Sequence, residues 1–226
     1  YLTNKGILNN EHIVFRKYTL NNKLKYGCNP HQKNAGIWLI DDKPLPFTVL
    51  NGSPGYINVL DAINSWNLVI DLERSLELLL LKKIPCASSF KHTSPAGVGT
   101  GIELSDILKK VYNANDLELT PTAIAFIRAR QADPLSSFGD FISISSIVDE
   151  CTANLIKKEI SDGIIALGYT PEALAILKTK KNGNYIILQA NSNVDLINTE
   201  IRELMGNIAL SQKTNTEITN LEYFDK

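Results

Sequence analysis

The sequence predicts an α/β fold, a layered mixed sheet with flanking helices, on three observations. From Gly36 onward, short apolar runs bounded by turn residues alternate with segments of helical period. Helix starts carry cap-then-proline signals, as at Thr120-Pro121. A chain of 226 residues is also long enough to hide roughly 70% of its unfolded surface in a sizeable core. Charge is balanced, 23 Lys plus Arg against 24 Asp plus Glu for a net of −1, which excludes a strongly basic nucleic-acid binder. No apolar run approaches the ~20 residues of a membrane span, so neither nucleic acid nor membrane is expected as a partner.

Taken in order, residues 1–22 are polar and basic and read as a linker or a remnant of an upstream domain, beginning at Tyr1 as if cut. Spans 36–40 and 46–50 read as strands. The turn formers of Asn51-Gly52-Ser53-Pro54-Gly55 lead to Asn58, a plausible cap, and then to one or two helices over 59–83, with Leu60, Ile63, Leu68, Leu72, Leu76 and Leu79 near helical period. Span 84–90 reads as a strand running into a loop at Pro95 and Gly97, and 121–130 as a helix. A polar turn covers 133–140. Strands at 141–145, 163–167 and 185–189 alternate with helices at 152–160 and 171–180. Everything after Asn191 is a connecting segment of weak pattern. Cys28, Cys86 and Cys151 are far apart with no C-x-x-C, which suits a reducing, cytosolic setting rather than a disulfide framework.

Four stretches concentrate chemistry-bearing residues. Lys91 and His92 close a strand, where an ammonium could stabilise an oxyanion and an imidazole could take a proton. In open α/β sheets the carboxyl ends of strands face the ligand crevice. The loop around Lys25 and Tyr26, the small residues near Gly139, and Asp162 before Gly163 are further candidates. Each has an ordinary structural reading as a strand end, a surface turn or a helix end, and composition alone favours those. Gly97, Gly99 and Gly101 form G-x-G-x-G, but Ile102 breaks the dinucleotide fingerprint. No Walker loop, H-E-x-x-H or G-x-S-x-G occurs, and the zinc deaminase H-x-E and P-C-x-x-C are absent, so no metal is expected from this chain's residues.

As a set, LKYGCNPHQ, VLNGSPGYINVLDA, SFKHTSPAGVG, RARQADPLSSFGDFISIS, EISDGIIALGY and KKNGNYIILQ resemble the transformylase part of the bifunctional family that joins AICAR (5-aminoimidazole-4-carboxamide ribonucleotide) formyltransferase to IMP cyclohydrolase. The resemblance is strong over 23–189 and weaker through 201–213. It implies a cytidine-deaminase-like lobe over 23–190, the first of two, with 191–226 leading toward the second. Lys91 and His92 match the family's catalytic pair. Lys25, Tyr26, Gly139 and Asp162 fall on its substrate contacts. The implied reaction moves a formyl group from the co-substrate 10-formyltetrahydrofolate, a reduced folate, to the 5-amino group of AICAR in purine biosynthesis. The intact protein is then a cytosolic homodimer. One lobe alone is expected to be an incomplete catalyst, and a non-catalytic nucleotide-binding or dimerisation module is the alternative. Lys25 stands where arginine is usual, Gln131 where glycine is, and Leu167 where proline is.

Overall fold

A computed structural model describes residues 16–115, 118–191 and 199–215. The expectations for the first fifteen residues and for much of the C-terminal connecting segment lie outside these. The chain divides into two units, one ending at Leu45 and the other starting at Pro46.

In the first unit, β1 (Tyr18–Lys23) pairs antiparallel with β2 (Gly36–Ile40), Leu20 facing Trp38. Tyr18–Lys23 was not among the expected strands, because its side chains are mostly polar and exposed and carry no alternation. The connection between the two strands holds Lys25 and Tyr26. It is closed by the Gly27 amide donating to the Gln32 carbonyl at 2.8 Å and by the Asn29 amide donating to Gln32 Oε1 at 2.8 Å.

The second unit carries a six-stranded mixed sheet in the order β3-β8-β7-β6-β4-β5. Its strands are β3 (Phe47–Asn51), β4 (Cys86–Lys91), β5 (Ser94–Thr100), β6 (Asp140–Val148), β7 (Ser161–Tyr169) and β8 (Ile186–Ala190). Strands β6, β7 and β8 run parallel, whereas β4 is antiparallel to both β5 and β6. The helices are α1 (Tyr56–Leu80), α2 (Asp106–Val111), α3 (Pro121–Ala132), α4 (Glu150–Lys158) and α5 (Pro171–Lys178). A separate antiparallel ribbon, β9 (Thr199–Leu204) with β10 (Ile208–Lys213), follows.

Local chemistry explains the helix boundaries. Thr120, Asp149 and Thr170 each accept a backbone N–H with their side-chain oxygen at the start of α3, α4 and α5. The expected cap Asn58 lies instead at the third position of α1, where its Oδ1 accepts the Gly55 amide at 2.9 Å. The span read as one or two helices is one continuous helix of 25 residues. Its buried stripe is Asp61, Ala62, Ser65 and Val69, not the leucines, which are half-buried or exposed. A helix face of small and polar residues can approach the sheet closely. Ser145 of β6 donates to Glu73 of α1 at 2.8 Å from that face. The apolar core lies between the sheet and α3, α4 and α5, and includes Ile142, Ile144, Ile164, Ile187, Phe126, Ile156 and Leu177.

The loop expected at Pro95 and Gly97 is a strand. Its glycines seat a helix. A Cβ at Gly97, Gly99 or Gly101 would lie 2.1 Å from the Ala129 carbonyl, 2.4 Å from that of Ala125, or 2.6 Å from that of Pro121. Every second strand residue therefore meets every fourth helix residue. The spacings agree, since two strand residues span about 6.7 Å and four helical residues about 6.0 Å. Strand β5 and helix α3 run antiparallel with their backbones in contact.

Candidate functional site

The sheet gathers four of the six candidate residues at one end. Lys91 ends β4, and because β4 runs antiparallel to β6, with Phe90 opposite Phe141, that end lies beside the start of β6, immediately after Gly139. Asp140 pairs with Ser161, so the parallel strand β7 brings Asp162 to the same end. Lys91 Nζ donates to the carbonyl of Phe138 and lies 3.5 Å from where a Gly139 Cβ would sit. Gly139 has φ +73°, a conformation glycine adopts without strain, whereas a side chain there would be strained by the backbone although its Cβ would meet the lysine only at ordinary contact distance. Asp162 Oδ1 accepts from Lys181 Nζ at 2.6 Å, both side chains being part-exposed. Lys25, exposed, and Tyr26, half-buried with Lys33 Nζ 6.0 Å from its ring centroid, belong to the first unit.

The location differs from the expectation in one respect. Lys91 and His92 do lie at the carboxyl end of their strand, but this end of the sheet is the amino end of the parallel strands β6 and β7. The crevice rule for open parallel sheets would point to the opposite edge. The antiparallel insertion of β4 is what reverses it.

His92 and Thr93 form a two-residue hairpin between β4 and β5, with Lys91 paired to Ser94. Both have left-handed backbone, φ 52° and 65°. Two positive φ values are the mark of a type I′ turn, which asparagine and glycine favour. In other residues this conformation costs on the order of 1–3 kcal/mol each, and it persists where surrounding contacts impose it. One such contact is Asp61 of α1, whose Oδ1 accepts the Thr93 amide at 2.6 Å. Thr93 Oγ1 adds a bond to the His92 carbonyl at 2.7 Å. Asp61 is 5% exposed, and burial raises its pKa above the usual 3.8, against the pull of the Thr93 hydrogen bond and the nearby His92.

Beneath Lys91 lies a second buried group absent from the sequence reading. Asp140, fully buried, accepts from Ser89 Oγ at 2.5 Å, and Ser89 Oγ also lies 2.8 Å from Ser137 Oγ. Burial pushes the Asp140 carboxyl up to about 6, although the Ser89 hydrogen bond and the Arg130 guanidinium oppose the shift. Arg130 is itself buried, 3.9 Å from Asp140 and 3.2 Å from Glu159, and donates to the Pro134 carbonyl at 3.1 Å. It ties the end of α3 to the loop that presents Gly139. Arg130 lies in the last turn of α3, and its burial makes it an internal strut.

Two clefts, of about 270 and 290 Å³, border this region, the first through Ser161 and Lys181 and the second through Arg130. Lys157, Ser161, Lys180 and Lys181 line the first, and Tyr112, Phe126, Arg130 and Leu155 the second. Lys180 donates to the carbonyls of Ile156 at 2.9 Å and Glu159 at 2.7 Å, so it closes the end of α4. Among the described residues, no group of three or more His, Cys, Asp and Glu is placed to hold a metal, and no helix is long and apolar enough to cross a membrane. Cys86 is buried, and its thiol is pushed up to about 12 by burial.

The family profile described as AICARFT/IMPCHase bienzyme matches residues 1–225. The chain belongs to this bienzyme family. Relatives named bifunctional purine biosynthesis protein PurH include one from Brachyspira hyodysenteriae, 34% identical over 184 residues, covering 80% of this chain and 31% of the relative. Another, from Lactobacillus acidophilus, is 30% identical over 224 residues, 98% of this chain and 39% of the relative. A third, from Elusimicrobium minutum, is 33% identical over 170 residues, 75% of this chain and 27% of the relative. The chain thus spans about a third of the length of these curated relatives, and the mixed six-stranded sheet with its helices is the part of the bienzyme fold it carries.

Proposed function

We propose that this chain supplies the nucleotide-handling part of a formyltransferase site in purine biosynthesis, with AICAR as acceptor and 10-formyltetrahydrofolate as donor. The observation that carries this reading is the convergence of Lys91, His92, Gly139 and Asp162, each on a family motif, at one end of the sheet. The 5-amino group of AICAR is a weak nucleophile because its lone pair is delocalised into the imidazole and carboxamide. Its attack on the formyl carbon needs the N–H proton removed as the new C–N bond forms. His92, exposed at the tip of the hairpin, is the base in this proposal. The Lys91 ammonium, tethered at the Phe138 carbonyl, stabilises the tetrahedral oxyanion. As the bond to the folate nitrogen breaks, the proton held by the imidazole returns to that nitrogen, so atoms and charge balance. Asp162 would accept a polar N–H or hydroxyl of the nucleotide once Lys181 yields, and Lys25 would neutralise phosphate.

The proposal includes a cytosolic homodimer for the intact protein, and sites completed by residues beyond this chain. Isothermal titration of the chain with AICAR, beside His92→Ala and a formyl-transfer assay, tests it. Saturable binding weakened by the substitution supports the reading. Binding unchanged by His92→Ala, with no turnover, would favour a non-catalytic nucleotide-binding module. A folded chain that binds no AICAR at millimolar nucleotide would remove the site from this chain.

A further inference from the structure

The hairpin that carries His92 is held in an unfavourable backbone conformation, and its hold comes from outside the hairpin. His92 and Thr93 are consecutive left-handed residues with β-carbons, in a turn type that asparagine and glycine favour. The Thr93 amide points into a buried carboxylate on the second turn of α1, at 2.6 Å. Asp61 is one of only two polar residues on the buried stripe of that helix, the other being Ser65. Burial disfavours its charged form, and the carboxylate of Asp162 adds to this. A buried carboxylate is costly unless it is hydrogen-bonded. Ser65 bonds its own helix at Ala62, whereas Asp61 reaches across to the turn.

We propose that Asp61 is a positioning residue: its carboxylate clamps the His92–Thr93 turn and so fixes where the imidazole stands beside Lys91. The role of His92 rests on the proposed formyl transfer, but the clamp itself does not. The amide hydrogen bond sets the peptide plane between His92 and Thr93, and with it the direction in which the His92 side chain leaves the turn. The groups that face Asp61 are the Thr93 amide and, through space, His92 and Asp162.

The test uses Asp61→Ala and Asp61→Asn in the 226-residue chain. Asparagine keeps an acceptor oxygen of similar reach, so it separates hold from charge. Two readouts are taken: the Thr93 amide by NMR, as proton shift and hydrogen exchange, and AICAR affinity by isothermal titration. In Asp61→Ala the Thr93 amide moves upfield, its exchange accelerates at least about tenfold, and AICAR affinity falls about tenfold. Asp61→Asn restores protection and most of the affinity. Unchanged Thr93 exchange in folded Asp61→Ala would overturn the clamp, as would an Asp61→Asn variant as impaired as the alanine. Should the unsubstituted chain bind no AICAR, the proposed function fails while the Thr93 signal still decides the clamp.

Discussion

Replacing Gly99 by alanine tests the contact on which the edge of the sheet depends. The new Cβ would sit 2.4 Å from the Ala125 carbonyl, 2.5 Å from Arg128 Cβ and 2.6 Å from the Ala129 amide. Two of these three are backbone atoms of α3, so no rotamer change relieves them. To reach ordinary contact the helix must withdraw by about 1 Å, which opens space along the neighbouring Gly97 and Gly101 contacts as well. Overpacking of this kind costs about 1–3 kcal/mol, and a rigid backbone contact belongs at the upper end. Alanine returns about 0.4–1 kcal/mol by restricting the unfolded chain. The net expectation is a loss of about 2 kcal/mol, or a Tm lowered by about 4–8 °C in a chain of this size. Urea denaturation followed by circular dichroism measures it. Gly168→Ala is the control, since its Cβ would make only an ordinary 3.6 Å contact with Ile147 Cγ1. A Gly99→Ala variant as stable as the control would refute the account of the glycine stripe.

Asp140 gives a pH signature. The unfolded chain releases this proton near the usual 3.8 and the folded chain near 6, so the group favours the folded state at low pH and loses that contribution as pH rises through the window. The change amounts to about 3 kcal/mol, and Asp140→Asn should flatten the stability curve between about pH 4 and 6; parallel curves would show the carboxyl is not perturbed. On the proposed role of Lys25 toward the nucleotide phosphate, Lys25→Arg should tighten AICAR binding about fivefold by offering a bidentate contact, read by titration against an unchanged Tm. Thr120→Ala removes both the cap of α3, at 3.2 Å to the Ala123 amide, and a 2.7 Å bond to Asp149 that links two helix starts. It should cost about 1–2 kcal/mol, and a change under about 0.5 kcal/mol would show that water replaces the cap.

The starts of α3 and α5 were legible, because Thr120-Pro121 and Thr170-Pro171 carry local chemistry that tertiary contacts do not override, whereas the short helix α2 was not expected and α1 and α4 begin two or three residues before the sequence reading places them. The strand Ser94–Thr100 was not, since proline and three nearby glycines read locally as loop, and only a helix lying on that strand makes glycine favourable there. The buried face of α1 does not follow its leucine periodicity, for a related reason. Leucine periodicity located the helix, but close approach to the sheet selects Ala62 and Ser65 for the interface and leaves Leu78, Leu79 and Leu81 exposed. Of the candidate residues, Lys91, His92, Gly139 and Asp162 were named from motifs, and the structure places them together. Asp61 and Asp140 were missed because an aspartate in a helical run or before a strand has no pattern that distinguishes a buried carboxylate from a solvated one.

Strand direction explains why these residues meet. In a wholly parallel sheet, Lys91 at the end of β4 and Gly139 before β6 would lie a full strand length apart, about 20 Å for six residues. Reversing β4 relative to β6 brings the end of one beside the beginning of the other. The two-residue return into β5 leaves no slack at His92, and the glycine stripe then lets α3 close over that hairpin without an intervening layer of side chains. The same α3 carries Arg130 in its last turn, which braces Asp140 and the carbonyl of Pro134 beneath the Gly139 turn. The hairpin glycines and the strained turn therefore act together. The glycines fix where the β4–β5 unit lies, and the turn, gripped by Asp61, fixes how its tip is presented. Loosening either should disturb the spacing of Lys91 and His92 from Gly139, and loosening the stripe also reaches the apolar core, which includes Ala87 of β4 and Ala125 and Ala129 of α3.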